Sequence, residues 1–237
     1  MGKRVRQLLS AAVAPVLTVV CTWLVADWLE VGADLQKALG ATAAGVLLFI
    51  AIELIDDLPK RSARWRRWTD PRAAFEGWWL QIHDGVDRVA VFSFLYSPEG
   101  DTYRAVGQSF DSRGELLAGW HSTRVFFSTG ALSASYLWEG KTFEVRPPVS
   151  RKGTTSWSVQ RPGSRSVLPV SGRGEVLHLN QDRILDFRVQ RLTGQRVQEL
   201  LGRRVALDAL VDYDLQRELA VAYLKSSMTG TGVGHPS

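Results

Sequence analysis

The sequence of 237 residues contains a single cysteine, Cys21, and only four histidines. One cysteine excludes an internal disulfide framework and a cysteine-rich metal site. The histidines are far apart, and no HxH, HExxH or CxxC spacing occurs, so we predict no metal site. The sequence also lacks a P-loop, a glycine-rich dinucleotide turn and a Gly-x-Ser-x-Gly motif. We therefore expect a protein that is not an enzyme and needs no cofactor.

Two apolar runs lie near the start of the sequence. Residues 8–26 carry no charge, and as a helix they would span roughly 28 Å, close to the thickness of a bilayer core. Residues 38–55 form a second run that contains Glu53 near its end. The pattern predicts a membrane α-helical hairpin over 1–58, and the alternatives are a signal peptide or a buried pair of core helices.

Lysine and arginine residues precede the first apolar run and follow the second, whereas residues 27–34 between the runs carry none. The positive-inside rule then places both termini in the cytoplasm and makes the protein multi-pass. A basic juxtamembrane linker is expected over 59–74. The residues predicted to lie at the membrane interface are Arg4, Arg6, Lys60, Arg61, Arg64, Arg66 and Arg67.

Small residues recur at a spacing of four in the second apolar run. Gly40 and Ala44 form one such pair, and Gly45 belongs to the next. This spacing lets helix backbones approach closely, so we predict helix packing there, between chains or within the hairpin.

From residue 75 to residue 192 the apolar pattern changes to period two, which is typical of β-strands. Turn residues separate eight or nine short segments, which predicts an all-β antiparallel barrel or sandwich. We favour a barrel because closure removes exposed sheet edges. Gly77-x-Trp79 resembles the Gly-x-Trp of lipocalin-type barrels, whose tryptophan fills the closed end. The predicted strands are 75–83, 88–97, 102–110, 115–128, 132–139, 141–146, 154–160, 175–179 and 184–192.

After the strands, residues 195–225 show the apolar spacing of an amphipathic helix. We predict a C-terminal helical segment over 193–225 that packs on the barrel or on a partner. Residues 226–237 are rich in Gly, Ser and Thr, and we expect them to be disordered.

A basic stretch and several aromatic residues suggest a binding site for an anion. Residues 145–174 hold six cations and no acid. On the predicted strand 115–128, Trp120, Ser122 and Arg124 would share one face and offer a stacking plane, a hydroxyl and a guanidinium. The alternative is that Trp120 belongs to the core and Arg124 to the surface. The candidate ligand-binding residues are Tyr103, Trp120, Ser122, Arg124, Tyr136, Trp157 and Arg161.

The order of these features resembles the two-transmembrane, β-strand-rich (2TMβ) effector family of bacterial antiphage systems that signal with cyclic oligonucleotides. The resemblance rests on the apolar hairpin, the basic run 60–67, the opening FEGWW of residues 75–79, and the segments 103–111 and 120–122. It covers residues 1–192 and leaves the helical segment 193–225 unplaced.

The resemblance implies an effector in the bacterial inner membrane whose cytoplasmic barrel senses a cyclic di- or oligonucleotide. A neighbouring cyclase, either a nucleotidyltransferase or a minimal CRISPR-polymerase-like enzyme, would supply that ligand. The hairpins would form a homo-oligomer that disrupts the lipid bilayer, with no direct contact to DNA or RNA. The alternatives are a membrane-tethered, lipocalin-like carrier of an apolar ligand and a non-enzymatic scaffold.

Overall fold

The computed structural model of the chain describes residues 62–83, 86–128, 133–159, 168–179 and 183–230, together with isolated positions between 19 and 58. The chain divides into two units, Met1–Pro71 and Arg72–Ser237. Most of the predicted hairpin, including Gly40 and Ala44, lies outside the described residues.

The expected localisation in the bacterial inner membrane was wrong. Within the part of the chain that the structure describes, no helix combines the length and the apolar character needed to cross a bilayer. The structure therefore does not support the predicted transmembrane hairpin. The multi-pass topology was derived from that hairpin and is not supported either.

The predicted membrane-interface residues divide between described and undescribed parts of the chain. Arg4, Arg6, Lys60 and Arg61 lie outside the described residues. The remaining three, Arg64, Arg66 and Arg67, belong to a short helix, α1 (Ala63–Thr69), which has no buried residue.

One of the predicted helix-packing residues, Gly45, is described. Among the described residues, no atom lies within 4 Å of a Cβ built at Gly45. The close helix approach expected there is therefore not seen in this part of the chain.

The second unit contains eight antiparallel strands that close into a barrel, which confirms the predicted β-barrel. Each strand pairs with the next along the chain, and β8 returns to pair with β1. The strands are β1 (Gly77–His83), β2 (Val89–Ser97), β3 (Thr102–Phe110), β4 (Leu116–Phe127), β5 (Ser133–Thr142), β6 (Val149–Val159), β7 (Ser171–His178) and β8 (Arg183–Arg191).

Several strand predictions differ from the structure. The segments 132–139 and 141–146 were predicted as separate strands because Glu139-Gly140 reads as a turn, but β5 runs through this dipeptide. Gly140 remains extended there because it pairs with Trp120 on β4 and with Arg151 on β6. Strand β6 begins earlier than predicted, and the chain from 71 to 75 forms a 3₁₀ helix rather than the start of β1.

Strands β1 and β2 bury both of their faces. Trp79 and Phe92 point into the barrel, whereas Leu80 and Val91 belong to a second core outside it. The C-terminal helices cover that outer face, with Leu219 and other apolar side chains packed against it. Residues of β2 are therefore apolar almost without interruption rather than alternating.

The C-terminal segment is not the single helix that its spacing predicts. It folds as α2 (Gly194–Leu201), a 3₁₀ helix (Leu207–Val211) and α3 (Tyr213–Gly230). Gly202 ends α2 in the left-handed conformation, with φ of 69°, which glycine adopts at little cost. Asp212 then caps α3 by accepting from two backbone N–H groups. Helix α3 continues to Gly230, into the segment 226–237 that was predicted to be disordered, and residues 231–237 lie outside the described part.

One end of the barrel is filled with aromatic side chains. Trp157 packs edge-to-face against Phe75 at a centroid distance of 4.9 Å and against Trp79 at 5.0 Å. Trp79 donates its indole N–H to the Phe75 carbonyl at 2.8 Å, which fixes the 3₁₀ helix across this end. We name this region, made of Phe75, Trp79, Phe94, Tyr103, Phe127 and Trp157, the closed end.

A buried arginine holds the closed end together. Arg191 lies opposite Trp79 in the β1–β8 pairing, and its guanidinium sits 4.3 Å from the Trp79 ring centroid. The same group donates to the backbone carbonyls of Pro169, Glu76 and Ala74. The guanidinium thus joins the last strand, the 3₁₀ helix and the segment before β7.

Replacing Arg191 by Met should lower the free energy of unfolding by about 3 kcal/mol or more, because three buried carbonyls lose their donor. Urea unfolding followed by tryptophan fluorescence measures this change. Arg104→Met is the matched control, because Arg104 is exposed on the outside of β3, and a change within about 0.5 kcal/mol is expected there. Equal effects for the two variants would contradict the role given to Arg191.

Candidate functional site

The barrel end opposite the closed end contains a cavity of about 340 Å³. It lies where β1, β3, β5 and β7 end and where β2, β4, β6 and β8 begin. Every strand except β2 contributes a lining residue, and Arg88 directly precedes β2. The residues that line it are Gln81, His83, Val86, Arg88, Ser109, Ala118, Gly119, Trp120, Tyr136, Trp138, Gly140, Lys141, Thr142, Glu144, Arg151, Thr155, Val176, His178 and Leu185.

Aromatic rings form part of the wall of this cavity. Tyr136 and Trp138 point inward from β5 because they are two residues apart on one strand. Trp120 from β4 stacks on Tyr136, with a centroid distance of 5.7 Å and an interplanar angle of 13°. Trp138 meets His178 edge-on at 5.3 Å. The wall therefore presents flat apolar surface next to polar ring atoms.

Two glycines on the neighbouring strands make room for these indoles. Gly107 of β3 pairs with Trp120, and Gly153 of β6 pairs with Trp138. A Cβ at Gly107 would lie 2.6 Å from Trp120 Cζ2, and one at Gly153 would lie 2.5 Å from Trp138 Cζ2. Any side chain at either position would displace the ring that lines the cavity.

The hydroxyl group of Tyr136 stays neutral. Burial raises the pKa of Tyr136 well above its ordinary value, and a hydrogen bond with the Thr155 side chain opposes this only in part. A raised pKa favours the protonated form of a phenol. Tyr136 therefore contributes a neutral hydroxyl to the cavity at every physiological pH.

The mouth of the cavity carries more positive than negative charge. Arg88 donates to the Glu144 carboxylate, which also accepts from Thr142 Oγ1 at 3.2 Å. Lys141 and Arg151 add two further cations to the lining. Among the described lining residues, three cations against one carboxylate leave a formal excess of two positive charges, which attracts anions.

Two buried donors of the cavity wall have no acceptor among the described residues. They are the indole Nε1 of Trp138 and the Nε of Arg88. A buried donor without an acceptor costs about 1–3 kcal/mol, so a cavity that keeps two of them suits a ligand that brings acceptors. Trp157 Nε1 also lacks an acceptor, but it lies among the rings of the closed end.

Histidine side chains mark the polar side of the cavity. Gln81 donates its side-chain N–H to Nε2 of His83 at 3.2 Å, and both side chains are buried. His178 of β7, which is separated from β1 by β8 alone, also lines the cavity. Their imidazoles add polar atoms deep in the wall, whereas Arg88, Lys141 and Arg151 supply its cationic groups.

Of the predicted ligand-binding residues, the structure brings two together in the cavity, Trp120 and Tyr136. Tyr103 and Trp157 are buried in the closed end, where they pack against other aromatic rings. Arg161 lies outside the described residues.

The prediction that Trp120, Ser122 and Arg124 share one face was wrong. A β-bulge between Ser122 and Arg124 shifts the register of β4 against β5 by one residue. As a result Arg124 is exposed on the outside, while Val125 packs on the inner core. Ser122 is buried and accepts from the Ala105 backbone N–H at 2.8 Å, so its hydroxyl completes the β3–β4 contact instead of facing the cavity.

The cations of the basic stretch 145–174 do not gather on one surface. Arg151 reaches the cavity, Lys152 lies 3.7 Å from Glu139 outside the barrel, and Arg173 is exposed on β7. Strand alternation separates Arg151 from Lys152, because neighbouring residues of a strand point to opposite faces.

Sequence reasoning did not select His83, Arg88, Glu144 or His178 as ligand-binding residues. The sequence does contain a signal for them. Each lies at or near a strand end, at a position whose side chain faces the barrel interior when side chains alternate along the strand. The resemblance of Gly77-x-Trp79 to lipocalin-type barrels indicated the closed end, but finding these residues also required the strand register around the barrel, which the sequence pattern does not give.

No protein-family model matches this sequence, and a search of curated proteins finds no match either.

Replacing Gly153 by Ala should lower the free energy of unfolding by about 1–3 kcal/mol, because the added methyl group meets Trp138 and the Leu177 carbonyl. Thermal unfolding and near-ultraviolet circular dichroism report this change and the displacement of the indole. Gly119→Ala is the control, because a Cβ there meets nothing within 4 Å in the described structure. A Gly153→Ala protein as stable as Gly119→Ala would refute the close packing of Trp138.

Proposed function

We propose that this chain is a non-catalytic binding protein whose barrel cavity takes up a nucleotide-type anion. The observation that carries the proposal is the pairing of two buried donors without acceptors, on Trp138 and Arg88, with an excess of positive charge at the same cavity. A phosphate group supplies both the acceptors and the negative charge that such a site requires. The partly exposed ring of Trp120 offers a nucleobase a surface for stacking.

A cyclic nucleotide is the ligand that we propose, in agreement with the resemblance of the sequence to cyclic-nucleotide-sensing effectors. The cavity volume of about 340 Å³ lies near the lower end of small-molecule sites, which run from roughly 300 to 1,000 Å³. It suits one nucleotide unit. A cyclic dinucleotide would place its first half in the cavity and its second half at the open mouth, near Lys141 and Arg151.

In this proposal the barrel acts as a sensor within an antiphage system, and a neighbouring cyclase supplies the ligand. Ligand binding changes the output by favouring one state of the protein over another, which requires different affinities for the two states. The proposal keeps the sensing part of the family resemblance. It leaves out membrane disruption, because no described helix is suited to cross a membrane.

The apolar part of the cavity wall supports a second candidate, a carrier of an apolar ligand. Val176, Leu185 and the rings of Trp120 and Trp138 contribute this surface. An eight-stranded closed barrel can enclose one small ligand in this way, as lipocalins do. The two candidates differ in salt dependence, since only the binding of an anion weakens as ionic strength rises.

Isothermal titration calorimetry on the full chain tests these candidates with 3′,5′-cyclic mononucleotides, cyclic dinucleotides, inorganic phosphate and an uncharged fatty alcohol. We expect binding of a cyclic nucleotide that weakens at higher salt. Binding of the fatty alcohol alone, without salt dependence, would support the carrier instead. Absence of binding by every cyclic nucleotide would refute the sensor.

Replacing Trp138 by Phe should weaken cyclic-nucleotide binding about tenfold, the equivalent of about 1.4 kcal/mol for one hydrogen bond. The substitution keeps an aromatic ring and removes only the N–H donor and part of the indole. Trp157→Phe is the matched control, because it removes a similar buried N–H from the closed end and should leave the affinity unchanged. The same loss of affinity in both variants would show that Trp138 acts through stability alone.

A further inference from the structure

The outer face of β7 and β8 carries two bands of like charge. Arg173 lies directly opposite Arg188, and two residues further along the strands Glu175 lies directly opposite Asp186. All four side chains are exposed, because their positions alternate with residues that point into the barrel. We call the arginine pair the basic band and the carboxylate pair the acidic band.

This arrangement is unfavourable for an isolated barrel. Like charges directly opposite each other on neighbouring strands destabilise a sheet. No ion pair within 4 Å joins Arg173, Glu175 or Asp186 to any other residue that the structure describes. The two carboxylates of the acidic band therefore have no counter-ion within 4 Å among the described residues, which favours a cationic neighbour there.

The surface around the bands leaves room for such a neighbour. A groove of about 730 Å³ runs over this face, and short side chains such as Ser156 and Ser158 border it beside the charged ones. Ile184, which is 61% exposed, continues the same outer face beyond the acidic band. The outer face of β1 to β3, in contrast, is covered by the C-terminal helices.

We propose that this face is the contact surface between two copies of the chain. A two-fold axis that lies in the interface, between the bands and parallel to them, brings the basic band of each copy onto the acidic band of the other. Such an isologous contact uses the same patch twice. It turns the repulsion within each band into attraction between four pairs of unlike charges.

The balance of charge on this face favours a second copy over other occupants. The two bands carry equal and opposite formal charge, so an acidic or a basic peptide would be attracted by one band and repelled by the other. A copy of the same face matches both bands at once. The proposal does not depend on the ligand of the cavity, because these four residues are outside the barrel.

Sedimentation velocity of the full chain at about 0.05 M and about 1 M salt tests this contact, since salt screens exposed charges. We expect a dimer at low salt that dissociates at high salt. Arg173→Glu with Arg188→Glu, and separately Glu175→Lys with Asp186→Lys, should each abolish dimerisation. A mixture of these two double variants in equal amounts should form a heterodimer that is tighter than the wild-type dimer, because its patches are then wholly opposite in charge.

Arg104→Glu with Arg124→Glu is the matched control, since both arginines are exposed elsewhere on the barrel, and it should sediment like the wild type. Circular dichroism verifies that each variant is folded. Where a charge reversal prevents folding, Arg173→Gln and Glu175→Gln replace it and should weaken the dimer. A wild-type chain that stays monomeric at low salt, variants that associate as the wild type does, or a mixture without heterodimer would each overturn the proposal.

Discussion

The hydrogen bonds between the first strand, β1, and the last strand, β8, close the sheet and so create the interior of the barrel. Only because β8 pairs with β1 does the sheet close, and only closure gives eight short strands a common interior. Arg191 lies where β8 pairs with β1. Its guanidinium contacts the ring of Trp79 on β1 and donates to the carbonyls of Pro169, before β7, and Glu76, before β1. Strand pairing, the cap of the closed end and the position of the 3₁₀ helix therefore depend on a single junction.

The two ends of the barrel differ because of what fills them. Large rings that meet edge-to-face fill the closed end, where the Arg191 guanidinium lies over the Trp79 ring. At the other end, aromatic rings form part of the cavity wall, and Arg88, Glu144 and His178 also line the cavity. A ligand site of this kind needs both parts, since the packed end holds the strands rigid and the open end can then keep unsatisfied donors in fixed positions.

The outside of the barrel shows a similar division. Apolar residues of β1 to β3 are covered by α2 and α3, and Arg217 of α3 donates to the Gly114 carbonyl in the β3–β4 turn. Strands β7 and β8 instead present charges to the surroundings. The outer surface of the barrel thus has two different parts. The chain's own C-terminal helices cover one part, and the other carries a charge pattern that matches a second copy of the same face.

Much of the barrel could be predicted from the sequence, because alternation and turn residues act locally. Strand β3 was predicted with the bounds that the structure has, and the number of strands was nearly right. Errors arose where distant residues decide the outcome. The pairing of Gly140 with Trp120 keeps β5 continuous through a dipeptide that resembles a turn, and the bulge in β4 reverses the side on which Arg124 lies.

Taken alone, the sequence determined the all-β character of residues 75–192, the helical end and the placing of Trp120 and Tyr136 among the binding candidates. These features follow from periodicity and from side-chain chemistry. Only the tertiary structure decided that Trp138 and Arg88 line the same cavity and that Arg173 meets Arg188 across a strand pair. The reason is physical: closure sets the register between strands far apart in sequence, and a shift of one residue moves each side chain to the other face.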